Sequence, residues 1–241
     1  MISSSALSRV RRRVAGCSIA VAAMLAAACA SSGELTRRQE CYDPDQQLAQ
    51  VLAALEANRS SGCWNWEVHD PPSTCQGLQR EIERLAVVCP NHVPTLMTNA
   101  VFAHDARHSE KAQQFLDRIF ERPSSHPEAA VLRARIAIED GDLPFARRLL
   151  KQQITLAPGH AGLHETYGAV LYLARELEEA RSELDRADAL GAPRWRVAYH
   201  LGLVAEAGGR REDARRLYAE AVEKNPAWEP AQSRLKALRT P

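Results

Sequence analysis

The chain has 241 residues, of which 45% are hydrophobic and 5% aromatic, and its 31 Lys and Arg against 30 Asp and Glu give a formal net charge of +1. This balance excludes the strongly basic character of a general nucleic-acid-binding protein, and the ordinary apolar fraction excludes disorder throughout. The charge is unevenly placed, because residues 1–28 hold four arginines and no acidic residue. Without them the rest of the chain is acidic.

Residues 1–28 have the pattern of an export signal. A cationic segment, Arg9 to Arg13, precedes an apolar run of fifteen residues at 14–28. Such a run is too short to span a bilayer comfortably and is typical of the hydrophobic region of a signal peptide. The small residues before Cys29 resemble the signal of bacterial lipoproteins, and the resemblance implies that Cys29 is lipidated as the mature N-terminus. An ordinary secretory peptide, cut after one of the alanines, is the alternative.

The lipoprotein resemblance also implies a location in the bacterial cell envelope. Several acyl chains, at roughly 0.8 kcal/mol per buried methylene, would hold the protein essentially permanently on a membrane. Ala30 stands where an Asp tends to retain lipoproteins in the inner membrane of enteric bacteria. We therefore expect a lipid anchor in the outer membrane, facing the periplasm, with residues 29–40 as a flexible tether.

Residues 41–92 are expected to form a divergent helical hairpin that caps the rest of the chain. Apolar spacing predicts helices over 45–58 and 77–89, separated by an insert at 59–76. The segment contains four cysteines, which are Cys41, Cys63, Cys75 and Cys89. An even number in an exported chain favours two disulfides. A metal site is the alternative, although no paired CxxC spacing occurs.

Helix geometry ranks the three possible disulfide connectivities. Fourteen helical residues extend about 21 Å, whereas the Cα atoms of bonded cysteines lie within about 7 Å. A bond between Cys75 and Cys89 is therefore excluded if the second helix forms. An antiparallel hairpin favours Cys63–Cys75 at its looped end and Cys41–Cys89 at its open end, and the diagonal pairing is the third option.

The insert between Cys63 and Cys75 contains two of the four tryptophans, Trp64 and Trp66. A disulfide-closed loop that presents them suits recognition of a partner, because aromatic rings supply contact area at a small entropic cost. The alternative is that both rings cover the end of the neighbouring helices.

A period of 34 residues runs through residues 93–228. The alanines that mark it are Ala112, Ala146, Ala180 and Ala214. A small residue stands twelve positions before each alanine and a large one four positions after it. At this period the chain resembles the tetratricopeptide repeat (TPR) family. The resemblance implies four units, at 93–126, 127–160, 161–194 and 195–228. A generic helical bundle with accidental periodicity is the alternative.

The physical pattern of each unit agrees with two amphipathic helices joined by a short turn. Asp142 is a predicted N-cap, with Pro144 in the first helical turn. No unit can bury its apolar face alone, so neighbouring units must stack into a superhelix with a concave surface. Residues 229–241 are expected to form a C-terminal capping helix. The predicted fold class is therefore all-α, an α-solenoid of TPR helix hairpins with a disulfide-stapled N-terminal helical cap.

In TPR proteins the first helix of each unit lines the concave face, and the resemblance implies a peptide-binding groove there. Its residues here are Met97, Val101, His104, Val131, Arg135, Ile138, Glu139, Glu165, Tyr172, Leu173, Tyr199, Leu203 and Glu206. Apolar side chains mixed with Arg and Glu suit an extended peptide or an amphipathic helix. The Lys and Asn of the family's carboxylate clamp are missing, so binding of chaperone tails is not supported.

No motif for catalysis or for a cofactor was found. The chain lacks HExxH, CxxC, a glycine-rich phosphate loop and GxSxG, so we predict no catalytic residue, no cofactor and no enzyme. Two histidine pairs have the i,i+4 spacing that places rings on one helix face, and they are His104 with His108 and His160 with His164. Each pair lacks the third ligand that a metal site needs, so no metal is predicted.

The leading hypothesis is a non-enzymatic lipoprotein that scaffolds assembly of an envelope machine, such as a pilus, secretin or secretion system, and that resembles pilotin-type TPR lipoproteins. Its expected partners are an envelope protein bound in the groove and the membrane, with no nucleic acid. An adaptor in the assembly of outer-membrane proteins or cell wall is one alternative. A periplasmic metal- or ligand-binding protein that uses the four histidines is another.

Overall fold

The computed structural model describes residues 41–61, 63 and 73–238. The predicted signal at 1–28, the tether at 29–40 with Cys29, and the loop residues Trp64 and Trp66 lie outside the described residues. All regular structure in the described part is helical, with eleven α-helices and one short 3-10 helix. The predicted fold class is confirmed, because helix hairpins stack into a solenoid behind a disulfide-stapled cap.

From α2 onwards the helices follow one another with short connections. In chain order they are α1 (Pro44–Ala57), α2 (Ser73–Val88), α3 (Val93–Asp105), α4 (Ser109–Phe120), α5 (Pro127–Glu139), α6 (Leu143–Leu156), α7 (Ala161–Leu173), α8 (Leu177–Ala189), α9 (Arg194–Ala207), α10 (Arg211–Lys224) and α11 (Glu229–Ala237), and the 3-10 helix covers Arg59–Ser61. None of these described helices is both long and apolar enough to cross a membrane.

Helices α3 to α10 form four hairpins, and the same turn closes each of them. Arg107, Gly141, Arg175 and Gly209 have φ values of 61°, 80°, 65° and 76°, in the left-handed region, and they lie 34 residues apart. The following residue donates its N–H back across the turn, as from Asp142 to the Ala137 carbonyl at 2.7 Å. This geometry satisfies carbonyls at the end of the first helix. The Asp142 side chain then accepts from the Phe145 N–H at 3.0 Å and caps α6, as predicted.

Within a hairpin, the two helices approach most closely where a small residue faces a large one. A Cβ atom added to Gly168 would lie 2.7 Å from Cγ of Leu184, and one added to Gly202 would lie 2.5 Å from Cε1 of Tyr218. Leu184 and Tyr218 are fully buried. The pairing of small with large residues therefore determines the distance between the helices of each unit.

The N-terminal cap consists of α1 and α2, which enclose a small core that includes Leu55, Ile82 and Leu85. The disulfides are Cys41–Cys89 and Cys63–Cys75, with Cα–Cα distances of 4.9 and 5.1 Å. One bond closes the open end of the hairpin and the other its looped end. Helix α2 begins at Ser73, four residues before the predicted start at 77, so Cys75 lies in its first turn. The apolar spacing that predicted this helix begins at Leu78 and carries no information about a polar turn added before it.

Candidate functional site

An open cavity of about 300 Å³ lies on the face formed by α5, α7 and α9, the first helices of three successive hairpins. Its lining residues are Arg135, Ile138, Glu139, Glu165, Thr166, Ala169, Tyr172, Leu173, His200 and Leu203. Most of the exposed lining is apolar, and Leu173 at its edge is 44% exposed. An apolar concavity with a few polar groups has the character of a binding site.

A larger cavity, of about 380 Å³, has a different character. Charged side chains that pair with one another occupy it, for example Arg194, which donates to Glu220 and Asp188 at 2.6 to 2.9 Å. A ligand there would have to displace several ion pairs, which is costly. The apolar cavity of α5, α7 and α9 is therefore the candidate site.

The structure brings seven of the thirteen predicted groove residues to this cavity. They are Arg135, Ile138, Glu139, Glu165, Tyr172, Leu173 and Leu203. The other six lie elsewhere. Met97, Val101 and Val131 pack, partly buried, against the cores between helices.

Two of the remaining groove predictions are covered by the last helix. Tyr199 lies with its ring centroid 5.9 Å from that of Tyr218 and 6.2 Å from that of Trp228. Glu206 accepts from the Tyr218 hydroxyl at 2.7 Å and lies 3.6 Å from Arg234 of α11. His104 lines no part of the cavity either, and its Nδ1 is buried without a hydrogen-bond partner in the described part of the chain.

Three lining residues were missed by the sequence analysis, namely Thr166, Ala169 and His200. Thr166 and Ala169 precede Leu173 at helical spacings of seven and four residues, so they share its face of α7. His200 lies one turn after Arg196 on α9. Helical spacing from the predicted residues could have found Thr166 and Ala169.

The cavity includes one buried carboxylate, that of Glu165, whose residue is 3% exposed. It accepts a hydrogen bond from the Arg196 guanidinium, and its Oε1 lies 3.6 Å from Nε2 of His200. A buried charge is stable only with such a partner, because desolvation is expensive. The negative charge of Glu165 is thus compensated by the guanidinium of Arg196 on α9.

Burial lowers the pKa of His200, and the carboxylate of Glu165 partly opposes this shift. The positive charges of Arg196 and Arg135 lower the pKa of this ring further. His200 is consequently neutral near pH 7, and the charges around it come from the arginines and from Glu165.

The predicted histidine pairs have structural contacts. His164 is 2% exposed, with Nδ1 2.6 Å from Glu183 and Nε2 3.0 Å from the Pro158 carbonyl oxygen. The Nδ1 atom of His160 accepts from the Leu163 N–H at 3.3 Å, at the start of α7. Across residues 41–61, 63 and 73–238, no three His, Cys, Asp or Glu side chains converge as metal ligands would. The histidine alternative, which also included His108, therefore gains no support from the described residues.

These features define a class, an α-solenoid of TPR-type hairpins with an apolar cavity on one face. No protein-family model matches the chain. Tetratricopeptide repeat protein 36 of Bos taurus is 34% identical to it over 120 residues, which cover 47% of this chain and 64% of that protein. The match thus spans less than two thirds of the relative's length.

Solved structures agree on the fold. A thermophilic TPR protein of Thermus thermophilus superimposes with a TM-score of 0.61 at 18% identity, covering 81% of this chain and 98% of its own. The MamA protein superimposes with a TM-score of 0.55 at 18% identity, and the alignment covers 76% of this chain and 93% of MamA. YrrB, described as a TPR protein with an unusual peptide-binding site, superimposes with a TM-score of 0.52 at 12% identity. The alignment covers 67% of this chain and 83% of YrrB. At these identities the similarity establishes the fold.

Proposed function

We propose that this protein is a non-enzymatic scaffold that binds a segment of a partner protein in the cavity formed by α5, α7 and α9. The observation that carries the proposal is the open apolar cavity of about 300 Å³. It would accept a large apolar side chain, whose burial contributes roughly 1.5–3 kcal/mol. The peptide-binding site ascribed to YrrB, which shares this fold, supports a peptide as the ligand.

The second part of the proposal is the location. The signal pattern at 1–28 and Cys29 favour a lipid-anchored protein of the bacterial outer membrane that faces the periplasm. Two disulfides in the cap suit such an oxidising compartment. The partner would then be an envelope protein, in the assembly of a pilus, secretin or secretion system. Assembly of outer-membrane proteins or of cell wall is the alternative context for the same binding mode.

The binding site is tested by two matched leucine variants. Leu173, at the edge of the cavity, is 44% exposed, and Leu156, outside the cavity, is 49% exposed. Leu173→Glu should abolish in vivo crosslinking to the partner, because a carboxylate would lie in the apolar lining. Leu156→Glu should leave it intact. Equal crosslinking by both variants would move the site elsewhere, for example to the loop of Trp64 and Trp66.

The location is tested at the predicted lipidation site. Cys29→Ala should release the protein from the membrane fraction and abolish incorporation of labelled fatty acid. Unchanged fractionation without any acyl labelling of the wild type would refute the anchor. This outcome would leave the binding proposal in place, since the cavity is distant in sequence from residue 29.

A further inference from the structure

We propose that the bound segment carries a carboxylate beside the apolar side chain that enters the cavity, and that this carboxylate pairs with Arg135. This inference rests on the proposed function, because it names the chemistry of the segment that the same cavity would bind. The carboxylate belongs to an Asp or Glu side chain of the segment, because the Lys and Asn with which TPR proteins clamp a chain terminus are missing here. Such a side chain can accept two parallel hydrogen bonds from a guanidinium.

Arg135 differs from the other arginines on the helices that form the cavity. The other three arginines all have acidic partners. Arg133 donates to Asp117 at 2.8 Å, and Arg196 pairs with Glu165. Arg194 pairs with Glu220 and Asp188. Arg135 is exposed, lines the cavity, and has no ion pair or hydrogen bond in the described part of the chain.

The other charges of the lining favour an anion at Arg135. Glu165 is already paired with Arg196, so it offers little repulsion to a second carboxylate. The ring of His200 faces Glu165 on α7 and the positive charges of Arg135 on α5 and of Arg196 on its own helix. Since Arg196 compensates Glu165, Arg135 is the uncompensated positive charge among the described lining residues.

Glu139 favours one orientation of a bound segment over the opposite one. It lies one helical turn beyond Arg135 on α5, about 6 Å further along the axis, and among the described lining residues it is the acidic group without an ion pair. It would repel a carboxylate placed beside it. Opposite charges one turn apart on α5 therefore select how a segment is oriented as well as whether it binds.

The test uses synthetic eight-residue peptide pools with a fluorescent N-terminal label and the full-length protein. Each pool has one fixed central Leu followed by Asp, Asn or Lys, with the other positions randomised among uncharged residues, and each is made with a free or an amidated C-terminus. A pool with Ser in place of the Leu reports the contribution of the apolar side chain. Binding is followed by fluorescence anisotropy at fixed ionic strength, because ion pairing is screened by salt.

We expect the amidated Asp pool to bind about tenfold more tightly than the amidated Lys pool, which corresponds to one charge-assisted contact. Arg135→Glu should reverse this order. Arg148→Glu should not, because Arg148 is an exposed arginine of α6 that does not line the cavity. The amidated Asp pool should also bind more tightly than the free-terminus Asn pool, and the reverse order would overturn the assignment to a side-chain carboxylate.

The two possible failures are distinguishable. If Leu pools bind regardless of charge, or Arg135→Glu leaves the preference unchanged, the carboxylate inference is wrong while the apolar cavity remains a binding site. If no Leu pool binds more tightly than the Ser pool, or Leu173→Glu binds as well as wild type, the proposed function fails together with it.

Discussion

The N-terminal cap and the last two hairpins hold a pair of helices together by different means. In the cap, covalent bonds close both ends of the α1–α2 hairpin, and Gly77 of α2 has open space around it, with no atom within 4 Å of an added Cβ. In the hairpins α7–α8 and α9–α10, contact is so close that Gly168 and Gly202 leave no room for a methyl group. The cap hairpin is thus fixed covalently at both ends, whereas complementary residue sizes determine the helix separation in these two repeats.

Polar contacts connect the two kinds of structure. Asn99 of α3 is buried and donates from Nδ2 to the Ile82 carbonyl of α2 at 3.0 Å. Arg118 of α4 donates to the carbonyl oxygens of Ala86 and Pro90 at 3.1 and 3.0 Å. These contacts dock the described part of the cap on the first hairpin, and in a solenoid of this kind stability is coupled mainly between neighbouring units.

The largest expected effect comes from removing the disulfide of the open end. Cys41→Ala with Cys89→Ala deletes a link between residues 48 apart in sequence, which should destabilise the cap by about 4 kcal/mol in the chain-entropy description. Hydrogen exchange of α1 and α2 should accelerate strongly while that of α7 to α10 stays unchanged. Cys63→Ala with Cys75→Ala deletes a link between residues 12 apart in sequence and should cost about 3 kcal/mol. Equal loss of protection in all hairpins would show that cap and repeats unfold as one unit.

A smaller loss is expected from filling the tight contact of the last hairpin. Gly202→Ala places Cβ against the ring of Tyr218 and should destabilise α9 and α10 by about 2 kcal/mol, measured by urea unfolding. Adding Tyr218→Leu should recover part of the loss, because the first two hairpins pair Ala100 and Ala134 with leucines at the equivalent positions.

The matched control for this contact lies in the cap. Gly77→Ala meets no atom within 4 Å and should stabilise α2 by about 0.5–1 kcal/mol through helix propensity. A loss at Gly77 as large as that at Gly202 would contradict the difference in packing between the two regions.

The same difference explains what could be predicted from the sequence. The 34-residue period identified the hairpins because the residues that determine helix separation, such as Gly168 and Leu184, lie in the same unit. Their positions therefore recur with the period of the repeat. Helix length excluded a bond between Cys75 and Cys89, and the antiparallel arrangement of the two helices favoured the observed pairing over the diagonal one. The cavity was predicted in part, because its shape depends on how α5, α7 and α9 are arranged across three units. The pairing of Glu165 with Arg196, 31 residues away, and the lack of a partner for Arg135 depend on that arrangement and leave no local pattern.

The smallest expected effect concerns the protonation of His200 in the repeats. Burial lowers the pKa of His200 in the folded state, so below pH about 6.5 the unfolded chain binds more protons than the folded one. Its contribution to stability is complete above that pH and is lost as the pH falls towards the folded pKa. His200→Gln should remove this component of the pH dependence in α9 without changing that of the cap, as followed by hydrogen exchange at pH 7.5 and 5.5.

A carboxylate bound at Arg135 would favour the protonated His200 ring. Peptide affinity should therefore rise a few-fold from pH 7.5 to 5.5 in wild type and not in His200→Gln. An unchanged pH profile in the variant would exclude His200 from the electrostatics of the cavity.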